Sequence, residues 1–321
     1  MEAKSWKEIL AKILYEHNER HGKRDKAVAH ITRQQRGQRL YSCFQQLRNL
    51  GYKLEDPRNL STRHIKALVE HWIVERRAPA TIQTWLSHLR VFARWIGKPG
   101  LVGSPVTYVN DPELVTRHYA AVLDASWTSH AVDVERIFTK VGGKDHYVGN
   151  QLLAELLFGL RVKEAILLRP WRDHQADVLL VADGTKGGRP RTVPIDCPEQ
   201  RQALLLFKQQ LRNKNQSLAD PRLTLKQAMY RYYSVMRAVG ITKKTLGVTS
   251  HGLRKEYANQ QYRELVGVPS PVQGGQRVER AIDQQARLEV MERLGHSREN
   301  IGTAYLGAII RSLKQTHRLT T

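Results

Sequence analysis

Residues 97–112, GKPGLVGSPVTYVNDP, set three Gly and three Pro into an otherwise helical stretch. Such a run can neither propagate a helix nor sit inside a sheet, so one uninterrupted helical core cannot extend across it. The break divides the 321 residues near position 110, giving expected domains over 1–108 and 109–321. Either piece is long enough to enclose a core of its own. We read the break as a tether between two domains, with an ordinary surface loop as the alternative.

Upstream of the break, LYSCFQQLRNLGY (40–52) and HIKALVEHWIVER (64–76) repeat apolar residues every three to four positions, the period of an amphipathic helix. Gly51 is placed to stop the first, Ser61-Thr62 to cap the second, and Pro79-Ala80-Thr81 to open a third that runs to Trp95-Ile96. Basic residues are interleaved through these helices: Arg33, Arg36, Arg39, Arg63, Lys66, Arg90, Arg94 and Lys98. Downstream, helices are expected over 113–125, 130–140 and 150–169. The segment 177–195, DVLLVADGTKGGRPRTVPI, has two runs of β-formers, Val178–Ala182 and Arg191–Ile195, around a Gly-rich turn, and reads as a hairpin. The remainder is helical apart from a polar stretch at 266–280. The expected class is therefore mainly α with a small β-hairpin or sheet.

Charge narrows the function. Lys and Arg number 52 against 30 Asp and Glu, a formal net charge of +22. A surplus of that size repels itself in the compact state unless a polyanion absorbs it, which points to nucleic acid. No apolar run approaches the roughly 18 residues of a spanning helix, and MEAKSWKEIL has no signal-peptide pattern. The expected location is the cytoplasm, associated with the nucleoid and not the membrane. The two cysteines, Cys43 and Cys197, make neither a disulfide framework nor a zinc site, and the 13 His are scattered, so no metal is expected.

Breaking a phosphodiester without metal or nucleotide needs an in-line nucleophile, cationic donors on the non-bridging oxygens, and an acid for the departing oxygen. Arg suits the second task through its planar fork, and Tyr the first because a phenolate leaves again readily. In FGLRVKEAILLRP, Arg161 and Glu164 are spaced for one helix face, where the carboxylate could orient the guanidinium; such pairs are more often solvated salt bridges. In GTKGGRPRTVPI, Lys186 tops the hairpin, where it could protonate a leaving oxygen or simply be a solvated turn lysine. In SHGLRKEYA, His251 and Arg254 are one helical turn apart and can face one phosphate. ERLGHSRENIGTAYLG supplies His296 and Tyr305, although a lone Tyr in apolar surroundings is usually a core residue.

Taken in order, GLRVKEAILL, GTKGGRPRTVPI, HGLRKEYA and LGHSRENIGTAYLG resemble the tyrosine recombinase family of phage and integrative-element integrases. QLRNLGYKLEDPRNLSTRHIKALVEHW and TIQTWLSHLRVFARWIGKPG are similar, more softly, to that family's helical core-binding domain. The resemblance implies a core-binding domain followed by a mixed α/β catalytic domain. It implies that Tyr305 is the nucleophile forming a 3′-phosphotyrosine, that Arg161 and Arg254 clamp the scissile phosphate, and that Lys186 is the general acid. His251 would assist proton transfer, His296 would hydrogen-bond the phosphate, and Glu164 would position Arg161. Arg33, Arg36, Arg39, Arg63, Lys66, Arg90, Arg94, Arg189 and Arg191 are the candidate DNA contacts. The implied partner is double-stranded DNA, gripped by a two-domain clamp, with a homotetramer on two sites, a Holliday-junction intermediate and an accessory directionality factor. No cofactor is implied.

The interval between His251 and His296 is longer than is usual in the family, and the surplus is the stretch at 266–280. It is expected to be a surface insertion contacting DNA or a neighbouring protomer, or else an inert loop. Leu306, Ile309, Ile310 and Leu313 form a short stripe expected to dock on the next protomer or on its own domain. A type IB topoisomerase, a non-catalytic regulator descended from an integrase and a basic RNA-binding protein are the competing readings. The first would relax circles without exchanging strands, the second would have lost catalytic residues, and the third does not account for the ordered motifs.

Overall fold

The computed structural model describes residues 5–19, 27–296 and 301–308, and the chain divides into two compact units, 1–118 and 119–321. The first is helical: α1 (Trp6–His17), α2 (His30–Asn49), α3 (Thr62–Val74) and α4 (Pro79–Trp95). The expected boundary signals act where the sequence puts them. Ser61 is the N-cap of α3, Pro79 takes the first position of α4, and α2 ends just before Gly51, whose φ of 91° carries the chain out of the helix. Leu40, Cys43, Phe44 and Leu47 line the inward stripe of α2. Trp72 and Trp85 meet edge to face at 4.9 Å in the core, and the Trp72 indole donates to Gln46 Oε1. Burial pushes the Cys43 thiol up to about 12, which leaves it inert.

The Gly- and Pro-rich segment is no free tether. Val102, Tyr108 and Val115 are buried in the first unit's core, the Tyr108 hydroxyl accepts from Gly103 N at 2.7 Å, and Arg90 donates to the carbonyls of Val102 and Gly103. The turn at Pro105–Tyr108 packs on α3 and α4, and the first compact unit runs to residue 118, where the break in the sequence placed it at 108. The helix expected over 113–125 is also absent. After a single 3₁₀ turn at Pro112–Leu114 the chain is irregular: Val115 is buried in the first unit's core, but Leu114, Tyr119, Val122 and Leu123 are exposed, so the segment buries no continuous apolar stripe.

The second unit contains α5 (Val134–Lys144), α6 (His146–Phe158), α7 (Val162–Leu167) and the single turn α8 (Pro170–Asp173), then β1 (His174–Gln175), β2 (Val178–Val181) and β3 (Arg191–Pro194). It continues with α9 (Pro198–Gln210), α10 (Leu225–Ala238), α11 (His251–Val266), α12 (Arg280–Arg293) and α13 (Gly302–Leu306). The expected hairpin is present as β2 and β3, and β1 extends it to an antiparallel sheet of order β1-β2-β3. Leu179 lies opposite Val193 and Val181 opposite Arg191.

Helices α6 and α11 stand between two cores. Phe158, Tyr257 and Tyr262 pack with the sheet, α9, α12 and α13, whereas Leu152 and Leu253 pack with α10 and Trp127. The seam between these cores carries the N-terminal end of α11, and with it His251 and Arg254. Among the described residues no helix is long and apolar enough to cross a membrane, and no group of three or more His, Cys, Asp or Glu could hold a metal ion.

Candidate active site

The helix expected over 150–169 breaks at Gly159, which adopts φ 58°. A side chain there would also collide with the Tyr257 ring, its Cβ falling 2.5 Å from Cδ1. The break turns the Gly159 carbonyl towards the guanidinium of Arg254 and restarts the chain at α7 with Arg161 as its N-cap. Arg161 and Glu164 are therefore not paired along a helix face. Glu164, in the first turn of α7, reaches back to cap it, accepting from Arg161 N at 2.8 Å and Arg161 Nη1 at 2.6 Å.

Arg254 is fully buried, and protein partners meet its donors on every side. Nη1 donates to Gly159 O, Nη2 to Leu294 O, and Nε to the Tyr305 hydroxyl at 3.3 Å. Burial lowers its pKa to about 10, still well above neutrality, so the charge is retained. Tyr305, on α13, is only 7% exposed. Its hydroxyl lies 3.2 Å from His296 Nε2, and the same nitrogen is 3.4 Å from Arg254 Nη2 and 3.5 Å from Arg161 Nη2.

This crowding defines the state of His296. Burial, followed by the charges of Arg254, Arg161, Arg191 and Lys186, holds its pKa down to about 4. The imidazole is thus neutral at pH 7, and because arginine nitrogens only donate, Nε2 must carry the lone pair. His251, the first residue of α11, is held down to about 4 by desolvation and by Arg254, Lys255 and Arg161. Its ring centroid lies 6.1 Å from that of Tyr305. Lys186 is exposed on the β2–β3 loop, close enough to act on the charge of His296.

The structure therefore gathers Arg161, Glu164, His251, Arg254, His296 and Tyr305 around one point, with Lys186 on the adjoining loop. A neutral acceptor and a fixed cation both touch the phenol oxygen, and a second arginine stands beside them: the parts needed to deprotonate a nucleophile and hold a phosphate.

Two candidate DNA contacts prove to be internal. The side chain of Arg191 is 6% exposed and fully engaged by Glu164 and the Arg293 carbonyl. Arg36 is buried, bonded to Asn18 and stacked at 5.4 Å on Trp95. The long stem is drawn inside by the Glu164 carboxylate in Arg191 and by the Asn18 amide and the Trp95 ring in Arg36. Arg39 lies over Trp85 at 3.8 Å, Arg90 holds the 102–103 carbonyls, Arg33 pairs with Glu19, and Arg94 is half-buried. Arg63, Lys66 and Arg189 are exposed.

The stretch at 266–280 is likewise not wholly a surface feature. Ser270 and Pro271 are buried, the Ser270 hydroxyl donates to Asn259 Oδ1 at 2.6 Å, and Val272 packs on Gly307, directly behind the Tyr305 helix. Of the C-terminal stripe, Ile309, Ile310 and Leu313 lie outside the described residues.

Sequence reasoning missed the pair formed by Glu155 and Tyr232. The Tyr232 hydroxyl donates to Glu155 Oε1 in a fully buried contact beneath the site, and burial raises the carboxyl to about 8. Apolar neighbours on both helices gave no sequence signal for this pair.

Known proteins resemble this chain in sequence and in fold. A family model described as Integrase matches residues 122–260, and one described as Phage integrase, N-terminal, matches residues 20–102. The first spans Arg161, Lys186, His251 and Arg254 and ends before His296 and Tyr305. Tyrosine recombinase XerD of Lacticaseibacillus casei is 27% identical over 207 residues, 61% of this chain and 67% of that protein. Tyrosine recombinase XerC of Xanthomonas campestris pv. campestris is 31% identical over 144 residues, 44% of this chain and 42% of the relative. Among solved structures, a lambda integrase dimer bound to a COC′ core site superposes with a TM-score of 0.61 at 14% identity, covering 94% of this chain and 77% of that one. The Tn1549 transposon integrase in complex with circular intermediate DNA gives 0.58 at 14% identity, covering 97% and 99%. At such identities the structural likeness shows the fold alone, a core-binding unit followed by a catalytic unit. The two family models, with the sequence likeness to XerD and XerC, establish that the chain belongs to the tyrosine recombinase family of phage-type integrases, enzymes that cleave DNA and transfer its strands.

Proposed function

We propose that this recombinase cuts duplex DNA through Tyr305, exchanges strands by way of a Holliday junction, and serves the integration or excision of a mobile element. The observation that carries the chemistry is the Tyr305 hydroxyl, held 3.3 Å from Arg254 Nε and 3.2 Å from a neutral His296 Nε2 of the same chain. The phenol proton leaves to an imidazole: His296 is already within reach, and His251 is the second candidate. The phenolate oxygen attacks phosphorus, the bond from phosphorus to O5′ breaks, and Lys186 gives its proton to the departing 5′ oxygen. Arg161 and Arg254 hold the non-bridging oxygens, with Glu164 fixing Arg161. The phosphotyrosine bond replaces the bond that was broken, so a 5′-hydroxyl from a partner strand can reverse the step without external energy.

The mobile-element reading is supported by the fold shared with the Tn1549 integrase and with lambda integrase, one structure of which is a tetramer bound to a Holliday junction (TM-score 0.61, 15% identity, 95% of this chain and 78% of that one). We propose the same assembly here, four copies on two sites, with both units contacting DNA through exposed basic residues such as Arg63, Lys66 and Arg189.

The test supplies the protein with two duplexes bearing the element's end sequence, and separately with a synthetic four-way junction of that sequence. Recombinant duplexes and resolved junctions are expected. Relaxation of any supercoiled circle, with no exchange between paired sites, would contradict the reading in favour of topoisomerase activity.

A further inference from the structure

We infer that Arg191 is a positioning residue that pins the Lys186 loop to the arginine clamp, so that acid and clamp address the same phosphate. The inference rests on the roles proposed above for Tyr305, Arg161 and Lys186.

The loop at 182–190 leaves β2 and returns as β3, with Lys186 exposed near its middle and Gly187 and Gly188 in left-handed conformations beside it. A loop of that composition has little stiffness of its own. Its ends are nevertheless held on α7. At the leading end Gly184, with φ 76°, packs so closely that a Cβ would lie 2.8 Å from the Lys163 carbonyl oxygen and 3.1 Å from Glu164 N. At the trailing end Arg191 sends both terminal nitrogens into Glu164, Nη1 to Oε1 at 3.0 Å and Nη2 to Oε2 at 2.8 Å.

Glu164 is completely buried and accepts from Arg161 on both oxygens as well. Two bonds from each arginine occupy the roughly four lone-pair directions of a carboxylate. The remaining donor of Arg191, Nε, goes to the carbonyl of Arg293 at 2.8 Å, at the end of α12 and just before His296. One guanidinium thus joins the strand that follows Lys186, the carboxylate that aims Arg161 and the turn that presents His296.

Charge alone does not explain this choice of residue. A lysine would neutralise Glu164 equally well, but as a point charge on a flexible stem it cannot place two parallel bonds on a carboxylate and a third on a carbonyl. Nor is Arg191 available to DNA: both its terminal nitrogens are held by the buried Glu164 carboxylate, whereas those of Arg254 bond to neutral carbonyls and leave its charge for a phosphate.

The leaving group separates positioning from simple support. Sulfur in place of the 5′ bridging oxygen departs as a thiolate and needs little proton donation, so it bypasses the acid. The variants are Arg191→Lys and, as a version that leaves the buried pair intact, insertion of two glycines between Arg189 and Pro190. Each is assayed in the full chain for covalent adduct on a duplex of the element-end sequence, carrying either oxygen or sulfur at the scissile 5′ position. Adduct formation on the oxygen duplex should slow at least tenfold in both variants, while the sulfur duplex is cut within about threefold of the unmodified protein, with thermal transition and DNA binding retained. Equal slowing on both duplexes, or none on either, overturns the inference.

A second readout is independent of turnover. Amide exchange across 184–189 should accelerate at least tenfold in Arg191→Lys, and unchanged exchange there also overturns the inference. If the unmodified protein forms no adduct on either duplex, the reading of Tyr305 is what fails, and the exchange measurement still decides the role of Arg191.

Discussion

At the residue scale, protonation governs both stability and readiness for catalysis. His296 and His251 have folded pKa values of about 4, below the ordinary 6.5, so the unfolded chain binds protons more readily than the folded one between those values. Their stabilising contribution is therefore complete above pH 6.5 and is lost as pH falls towards 4. In His296→Asn the thermal midpoint should fall less steeply across that window, the curves diverging by roughly 2–4 °C at the acid end. Parallel curves from scanning calorimetry would show that His296 is not depressed. Glu155 has the opposite sign: its carboxyl is raised from 4.5 to about 8, so stability drains away as pH rises through that interval. Glu155→Gln keeps an acceptor for the Tyr232 hydroxyl and should flatten the alkaline side of the same stability profile. Arg254→Lys keeps a charge but abandons at least one of the carbonyls of Gly159 and Leu294. The rate of adduct formation should fall by roughly 10²–10³, the usual loss when one fixed donor is removed from a charge-stabilising site.

At the scale of elements, what was legible in the sequence follows from whether a signal is local. Ser61, Pro79 and Gly51 mark helix ends by chemistry that acts within one turn, and each did so. The break at Gly159 was harder to see, because the apolar pattern runs on through Leu160, Ile166 and Leu167 while backbone conformation and the Tyr257 ring decide against a continuous helix. The helix expected at 113–125 failed for the converse reason: of its larger apolar residues Val115 found a core, while Leu114, Tyr119, Val122 and Leu123 did not. Arg191 was the most instructive loss. In RTVPI it alternates with Val193 and Ile195, both buried, so strand periodicity already placed it on the inner face, and its charge drew attention to the outside instead. The gathering of the site was legible because its motifs come from a small, ordered set of residue types. The partners that complete it, the carbonyls of Gly159, Leu294 and Arg293, are backbone atoms that no residue type announces. The stretch at 266–280 also acquires a definite role. Ser270→Ala removes a buried bond to Asn259 beside the nucleophile helix and should cost about 1–2 kcal/mol in urea unfolding. Deleting 268–280 should both destabilise the second unit and suppress adduct formation, rather than affect assembly alone.

For the whole molecule, the net charge of +22 now has two destinations. Part is held inside the protein, at Arg36 and Arg191, and the remainder is available for phosphate, Arg254 at the proposed cleavage point and the exposed cations around it. If six or more phosphates are neutralised, the logarithm of DNA affinity should fall with the logarithm of salt at a slope of about −5 or steeper, and a slope near −1 in a filter-binding titration would contradict extensive backbone contact. Binding of that kind belongs to many basic proteins, whereas the covalent step belongs to Tyr305. The most direct test mixes the protein with a duplex of the element-end sequence, nicked beside the cleavage point so that rejoining is blocked, and resolves the products on a denaturing gel. A protein–DNA adduct that vanishes in Tyr305→Phe, with DNA binding unchanged, is the predicted result. An adduct that persists in Tyr305→Phe, or none from the unmodified protein on a duplex that it binds, would contradict the account.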